Sequence, residues 1–162
     1  MEPDSLRAVI FLRDLDDQEL AAFRELLTIR EAASGERIVE EGTPVTALYI
    51  VCNGVVHVRR LAQKREMLLG RLGAGAFFGE INLFDPGVAT ASIYAMKAPV
   101  TLAVAPYAPI REFMSANPAT GYKIVSGMMA ETARRLRQTS ARLVNAVYWA
   151  NPENSAPLRA SS

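Results

Sequence analysis

Glu80 is the residue of this sequence whose neighbours best suit chemistry on a small ligand. It directly follows Gly79 and begins the run 80–84 (EINLF), which is long enough for about one helical turn before the breaker sequence DPG. A short helix entered through glycine presents unpaired amides, here including those of Ile81 and Asn82, and these attract an anion such as a phosphate. A carboxylate beside that anion would repel it. Glu80 is therefore predicted to accept a hydrogen bond from a hydroxyl, as on a ribose.

The stretch around Glu80 resembles the phosphate-binding cassette of the cyclic-nucleotide-binding domain family. The match is specific in Phe78-Gly79-Glu80-Ile81 and in Thr90-Ala91-Ser92. In that family the glutamate, here Glu80, binds the ribose 2′-hydroxyl, and an arginine at the end of the cassette pairs with the cyclic phosphate. The arginine position falls on Ala89, or on Thr90 if the loop is shifted by one. The ligand-binding residues that the resemblance implies in this stretch are Gly79, Glu80, Ile81, Asn82, Ala89, Thr90 and Ala91.

The absence of an arginine from the cassette bears on affinity. A charge-assisted bidentate contact to phosphate contributes about 1.5 to 3 kcal/mol, so its loss lowers affinity by about tenfold to a few hundredfold. The amides of the short helix and the Thr90 hydroxyl would remain. The sequence therefore predicts that cAMP or cGMP binds weakly or not at all, and it predicts no other cofactor and no metal.

A long helix is predicted from about residue 119 to 149, and it carries a heptad seam of alternating four- and three-residue spacings, which favours a parallel homodimer. The seam consists of Val125, Met129, Thr132, Leu136, Thr139, Leu143 and Ala146.

Two motifs on this helix resemble the dimerisation helix of the cyclic-AMP receptor transcription factors. They are Ala133-Arg134-Arg135-Leu136 and Thr139-Ser140. In that subfamily the Thr-Ser pair reaches the purine amino group from both subunits, and the second arginine, here Arg135, lies close to the cassette glutamate. The alternatives are that Thr139 and Ser140 only set the helix register, and that the arginines form a solvated face or pair with Glu131.

The elements that must position these residues follow from the hydrophobic period. Helices are predicted at 5–12 and at 16–27, the second capped by Asp16 or Asp17 with Glu19 in its first turn. From residue 28 to 105 the period becomes two, which indicates a double-stranded β-helix of the jelly-roll type. Its strands are predicted near 29–32, 37–40, 47–52, 55–61, 66–72, 90–95 and 100–104. Helical spacing returns after Pro106 and is broken at Asn117-Pro118.

Two turns between these strands are predicted to close hairpins. Asn53-Gly54 is a strong signal for a type I′ turn, because both residues accept a positive φ. Residues 62–65 are predicted to form a looser hairpin tip. The fold class is thus α+β and mainly β: a β-roll over 28–105, N-terminal helices over 1–27 and C-terminal helices over 106–150. These make one domain, followed by a disordered tail over 151–162.

Composition limits the classes of function that the chain can have. The chain has 162 residues, one cysteine and a formal charge of +1, far from the basic balance of most nucleic-acid binders. The acidic N-terminus and the lack of a long apolar run favour a cytoplasmic protein without a membrane span, and no catalytic triad, metal-ligand spacing or phosphate-binding loop is found. We expect a stand-alone, non-enzymatic regulatory sensor without direct DNA binding, which signals to a partner protein through its C-terminal helix. The alternative is a ligand-free dimerisation or interaction scaffold.

Overall fold

The computed structural model describes residues 6–96 and 99–150. The chain divides into two units after Met128. The first unit holds the strands described below, three helices and the beginning of a fourth, and the described part of the second unit is the rest of that fourth helix. The predicted tail lies outside the described residues, and the single domain over 1–150 stays a prediction.

Antiparallel strands form two four-stranded sheets in the first unit. One sheet has the order β1-β8-β3-β6 and the other the order β2-β7-β4-β5, so successive strands alternate between the sheets except for β4 and β5, which pair in one sheet. This topology confirms the predicted jelly-roll. The strands are β1 (Thr28–Ala32), β2 (Arg37–Val39), β3 (Ala47–Asn53), β4 (Val56–Ala62), β5 (Arg65–Leu72), β6 (Phe77–Phe78), β7 (Ser92–Ala95) and β8 (Val100–Pro106). Strand β6 was not predicted, because two residues are too few to show the two-residue hydrophobic period of a strand.

Four helices accompany the sheets: α1 (Asp17–Arg24), α2 (Glu80–Phe84), α3 (Tyr107–Ala116) and α4 (Pro118–Ala150). Asp16 caps α1 in a capping box, because its carboxylate accepts from the amide of Glu19 at 2.9 Å and the Glu19 carboxylate accepts from the amide of Asp16 at 2.8 Å. This confirms the predicted cap and first turn. The long C-terminal helix is also confirmed, as is the break at Asn117.

The structure corrects the prediction of a helix at 5–12. Only Leu6 and Arg7 are helical among its described residues, and the chain then continues in tight turns, in which the amide of Val9 donates to the carbonyl of Leu6 and the amide of Leu12 to that of Val9. Leu6, Val9, Phe11 and Leu12 are all buried. A single apolar face cannot bury so many adjacent side chains, so packing on several sides replaces the regular helix.

The predicted hairpin at Asn53-Gly54 is wrong, whereas the predicted hairpin at 62–65 is confirmed but is tighter than expected. Strand β3 belongs to one sheet and β4 to the other, so Asn53-Gly54 carries the chain between sheets and closes no hairpin. Gly54 has a φ of 88°, while Asn53 keeps a negative φ and accepts the Gly54 amide with its side chain at 2.9 Å. The hairpin at 62–65 is tight instead of loose. It joins β4 to β5 through Gln63 and Lys64, both with positive φ, which neither residue type signals.

The core of the first unit has two parts. The larger lies between the β1-β8-β3-β6 sheet and the helical segments, and the smaller lies between the two sheets. Close approach of backbones helps to form the larger cluster, since a Cβ on Gly127 would lie 2.6 Å from the Phe11 Cα. Representative members are Phe11, Phe23, Leu48, Phe77 and Ile124 in the larger cluster, and Ile38, Val51, Phe78, Ile93 and Leu102 in the smaller.

Candidate ligand-binding site

The front of the candidate site is the entry into α2 at Gly79. Gly79 has a φ of 87°, and a Cβ there would lie 2.6 Å from the carbonyl oxygen of Ala47, so both backbone conformation and space require glycine. The next residue, Glu80, is buried with 7% of its surface exposed. The predicted Gly-Glu turn therefore exists as a short helix with an acidic first residue. Residues 79–91 are called the cassette segment below.

Two side chains of α3 fasten this short helix at both ends. The hydroxyl of Tyr107 donates to the carbonyl of Gly79. The guanidinium of Arg111 donates to the carbonyl of Leu83 from Nη2 at 2.7 Å and from Nε at 3.3 Å. The same guanidinium lies over the ring of Tyr107, 5.7 Å from the ring centre. Tyr107 and Arg111 thus fix the position of α2 from behind.

The electrostatics of this clamp keep Tyr107 a donor. Burial, and then the nearby Tyr49 and Glu80, raise the pKa of Tyr107 to about 12, although Arg111 opposes the shift. The hydroxyl therefore stays protonated throughout the neutral range. Its bond to the Gly79 carbonyl does not depend on pH under ordinary conditions.

Backbone hydrogen bonds hold the C-terminal part of the cassette segment, around Ala89. The amide of Ala89 donates to the carbonyl of Thr43 at 2.8 Å, and the carbonyl of Ala89 accepts from the amide of Gly42 at 2.9 Å. The side-chain amide of Asn82 donates to the carbonyl of Val88 at 3.4 Å and so links α2 to the end of the cassette segment. Ala89 is 5% exposed.

An open cleft of about 340 Å³ lies beside the cassette segment. In its wall, the carbonyl of Thr43 accepts from the Ala89 amide, and Pro44 forms an antiparallel bridge with Val88. Tyr49, also in the wall, stacks on Phe78 with ring centres 4.8 Å apart. The cleft therefore borders both ends of the segment. Its volume is within the range of small-molecule sites. The residues lining it are Arg37, Ile38, Val39, Glu40, Thr43, Pro44, Val45, Thr46 and Tyr49.

The structure brings the cassette candidates together in the first unit. Gly79, Glu80, Ile81 and Asn82 form the entry and first turn of α2, and Ala89, Thr90 and Ala91 form the bent segment that leads into β7. Strand β7 begins at Ser92 and not at residue 90 as predicted. Thr90 is exposed, whereas Ala89 and Glu80 are buried. The roles of these residues in binding stay predictions.

The other candidates lie in the second unit, on α4. Arg135 Nε contacts Glu131 at 2.8 Å, and Arg134 contacts the same carboxylate at 2.6 and 2.7 Å. These guanidinium groups, Arg134 first, hold the pKa of Glu131 below its ordinary value. The contacts agree with the pairing to Glu131 weighed from the sequence, and Glu131 itself is buried with 5% of its surface exposed. Thr139 and Ser140 are exposed.

Sequence reasoning missed the residues that hold the cassette segment in place. Tyr107, Arg111 and Tyr49 carry no local motif, and each acts on a partner far away in the chain, such as Tyr107 on Gly79 at a separation of 28 residues. Thr43 was missed for the same reason. The available signal was weak: an aromatic and a basic residue four apart at the start of a helix.

A jelly-roll of two four-stranded sheets with a Gly-Glu helix beside a cleft defines a small-ligand-binding module. Comparison with known proteins identifies the family of this module. The family model of the cyclic nucleotide-binding domain matches residues 29–117. The chain belongs to the cyclic nucleotide-binding domain family.

Similar proteins agree with this assignment. Over 112 residues, 68% of this chain, the sequence is 35% identical to the cAMP-activated global transcriptional regulator CRP of Haemophilus influenzae, and the match covers 48% of that protein. The N-terminal domain of a transcriptional regulator from Streptomyces coelicolor A3(2) is 30% identical with a TM-score of 0.71, over 86% of this chain and 95% of that one. A cyclic nucleotide-binding domain from Methylobacillus flagellatus has the same fold, with a TM-score of 0.81 at 20% identity, over 89% and 85% of the two chains.

The chain spans only part of its curated relatives, between 20% and 61% of the length of the first three. What those whole proteins do is therefore not carried over to this chain as a finding. Two further observations concern the described residues. None of their helices is long and apolar enough to cross a membrane. They also contain no group of three or more side chains suited to hold a metal ion.

Proposed function

We propose that this chain is a regulatory sensor module that binds cAMP, cGMP or a related ligand weakly or not at all, and that signals to a partner protein through α4. No catalytic activity is proposed, because the family is a binding domain and the described residues offer no catalytic grouping. The net charge of +1 supports the further proposal that these residues do not bind DNA directly.

One observation carries the proposal: the cassette segment has a glycine-entered short helix that begins with Glu80, but it has no cation. Gly79 and Glu80 are held beside the cleft by Tyr107 and Arg111. Yet residues 79–91 contain no lysine, arginine or histidine. A cyclic phosphate at this segment would thus lack the charge-assisted contact that an arginine provides.

The two positions considered for the missing arginine differ in exposure. Ala89 is 5% exposed and both its amide and its carbonyl are bonded to the 42–43 turn, so an arginine there would have to displace packed neighbours. Thr90 is exposed and can accept a longer side chain. Thr90→Arg is therefore the better variant for restoring a phosphate contact.

The test is calorimetric titration of cAMP into three proteins: the unmodified chain, Thr90→Arg, and Thr90→Arg combined with Glu80→Gln. We expect weak or undetectable binding by the unmodified chain and a gain of about tenfold or more in Thr90→Arg. Glu80→Gln should reverse part of the gain, since a neutral amide is a weaker acceptor for a ribose hydroxyl.

Two outcomes would contradict the proposal. Tight cAMP binding by the unmodified chain would show that the cassette arginine is not needed here. No binding by Thr90→Arg, in a variant whose melting temperature is unchanged, would favour the alternative of a ligand-free scaffold. The observation that favours this alternative is the tightly packed, uncharged back of the segment at Ala89.

The proposed assembly is a parallel homodimer through α4, whose seam leaves Leu136 and Leu143 66% and 63% exposed. Arg135, Thr139 and Ser140 stay proposed ligand contacts on the strength of the family resemblance alone. In such a dimer, a ligand shifts the equilibrium only by its difference in affinity for the two states.

A further inference from the structure

The cleft beside the cassette segment has one cation of its own. Among the nine lining residues, Arg37 is the one basic residue and Glu40 the one acidic residue. Hydroxyl groups come from Thr43, Thr46 and Tyr49, while the remaining lining side chains are apolar. The guanidinium and the three hydroxyl groups fit a small polar ligand that carries an anionic group.

Arg37 and Glu40 form an ion pair at the cleft. Arg37 Nη1 lies 2.9 Å from Glu40 Oε1, and the side chains are 47% and 49% exposed. An exposed pair of this kind is weak, because both groups are well solvated. Arg37 also contributes, after Tyr94 and Arg59, to lowering the pKa of Glu66. Its guanidinium therefore has nearby carboxylates but no strong, buried bond that an incoming anion must break.

The cleft and the cassette segment share a wall. Thr43 lines the cleft and accepts the Ala89 amide through its carbonyl at 2.8 Å. Tyr49 lines the cleft, and its Cδ2 would lie 3.5 Å from a Cβ on Gly79. A ligand in the cleft therefore lies next to residues that contact the cassette segment.

We propose that Arg37 supplies the positive charge for a phosphorylated ligand of nucleotide size, and that Glu40 is its internal competitor. The inference rests on the proposed ligand-binding function and identifies the residue of that site that would select a phosphate. A ligand phosphate replaces the Glu40 carboxylate on the Arg37 guanidinium, so the ion pair exchanges one anion for another. Neutral nucleosides gain nothing from this exchange.

The experiment measures binding of cAMP, 5′-AMP, inorganic phosphate and adenosine to the unmodified chain, Arg37→Gln and Glu40→Gln. Arg37→Gln should weaken binding of the phosphate-containing probes by about tenfold or more and leave adenosine within about twofold. Glu40→Gln should strengthen binding of the same probes by about two- to fivefold, because the competing carboxylate is weak. Both residues are exposed, so the variants should keep the native melting temperature.

Arg71→Gln is the matched control. Arg71 is exposed on β5, at the opposite edge of the same sheet, and does not line the cleft, yet its replacement removes the same charge. If Arg37→Gln and Arg71→Gln weaken binding equally, the effect is one of net charge and the inference is wrong.

The outcomes separate this inference from the proposed function. If cAMP binds the unmodified chain and Arg37→Gln changes nothing, the inference falls and the sensor proposal stands. If 5′-AMP or phosphate binds in an Arg37-dependent way while cyclic nucleotides do not, the inference stands and the cyclic-nucleotide assignment falls. If no probe binds any of the proteins, the inference is wrong, and the result favours the ligand-free scaffold.

Discussion

The two units of the chain are stabilised by contacts of different range. In the first unit, side chains bond across long stretches of sequence, as Lys123 and Thr120 do with Glu19. In the second unit the ion pairs join Glu131 to Arg134 and Arg135, three and four residues away. Both pairs lie within one helix, at the three- and four-residue spacings that place side chains on the same face.

The difference shows what kind of packing stabilises each unit. The first unit buries a core of its own between sheets and helices. The described part of the second unit is one helix, and most stability of a protein helix comes from packing of its apolar face. Among the exposed apolar side chains of this part, Met129, Leu136 and Leu143 belong to the predicted seam and are the ones that the proposed dimer would cover. The others, Val144, Val147, Tyr148 and Trp149, lie outside the seam.

The strongest way to break the first unit is a Cβ at the entry of α2. Gly79→Ala places a methyl group 2.6 Å from the Ala47 carbonyl oxygen at a φ of 87°, so we expect a loss of about 2 to 4 kcal/mol in the free energy of unfolding. Urea unfolding measures it. Gly87→Ala is the control, because a Cβ there meets its nearest atom at 3.7 Å. Equal stability of the two variants would contradict the required close approach.

Removal of the clamp behind α2 should have a smaller effect. Tyr107→Phe deletes the hydroxyl that donates to the Gly79 carbonyl, and leaving a part-buried carbonyl without this donor costs about 1 to 2 kcal/mol. Thermal and urea unfolding measure the loss. Tyr122→Phe, at a tyrosine 76% exposed, should change stability little. If both variants are as stable as the unmodified chain, Tyr107 does not fasten α2.

The contact between Glu19 and α4 predicts a dependence of stability on pH. Lys123 first, then the Asp16 amide and the Thr120 hydroxyl, lower the pKa of Glu19 from 4.5 to about 2. Because the folded pKa is lower than the unfolded one, this stabilisation is complete above about pH 4.5 and is lost as the pH falls towards 2. Urea midpoints between pH 7 and pH 3 should fall less in Glu19→Gln than in the unmodified chain. Parallel curves for the two proteins would contradict the prediction.

A charge in the seam of the second unit should hardly affect the unfolding of the first. Leu136→Arg should dissociate the proposed homodimer, because it places a charge among the apolar seam residues. Light scattering over a concentration series gives the oligomeric state, and the urea midpoint of the first unit should stay nearly constant. Gln138→Arg adds the same charge at an exposed position outside the predicted seam. A monomeric unmodified chain would show that the seam is not a dimer interface.

The sequence by itself determined the features that depend on neighbouring residues. The capping box of Asp16 and Glu19, the Gly79-Glu80 turn and the break at Asn117-Pro118 are short-range patterns, and all three are present in the structure. The two-residue period predicted the strands of a jelly-roll for the same reason. The missing cation of the cassette segment is also readable from the sequence.

Only the tertiary structure decided the features that depend on distant residues. Asn53-Gly54 has the local signal of a hairpin, but core packing assigns β3 and β4 to different sheets. The residues that hold and border the cassette segment, Tyr107, Arg111 and Arg37, have no motif, because their role comes from partners brought close by the strand order. A local pattern records the conformation of a few residues, whereas a cleft is formed when long-range pairing places separate strands and turns side by side.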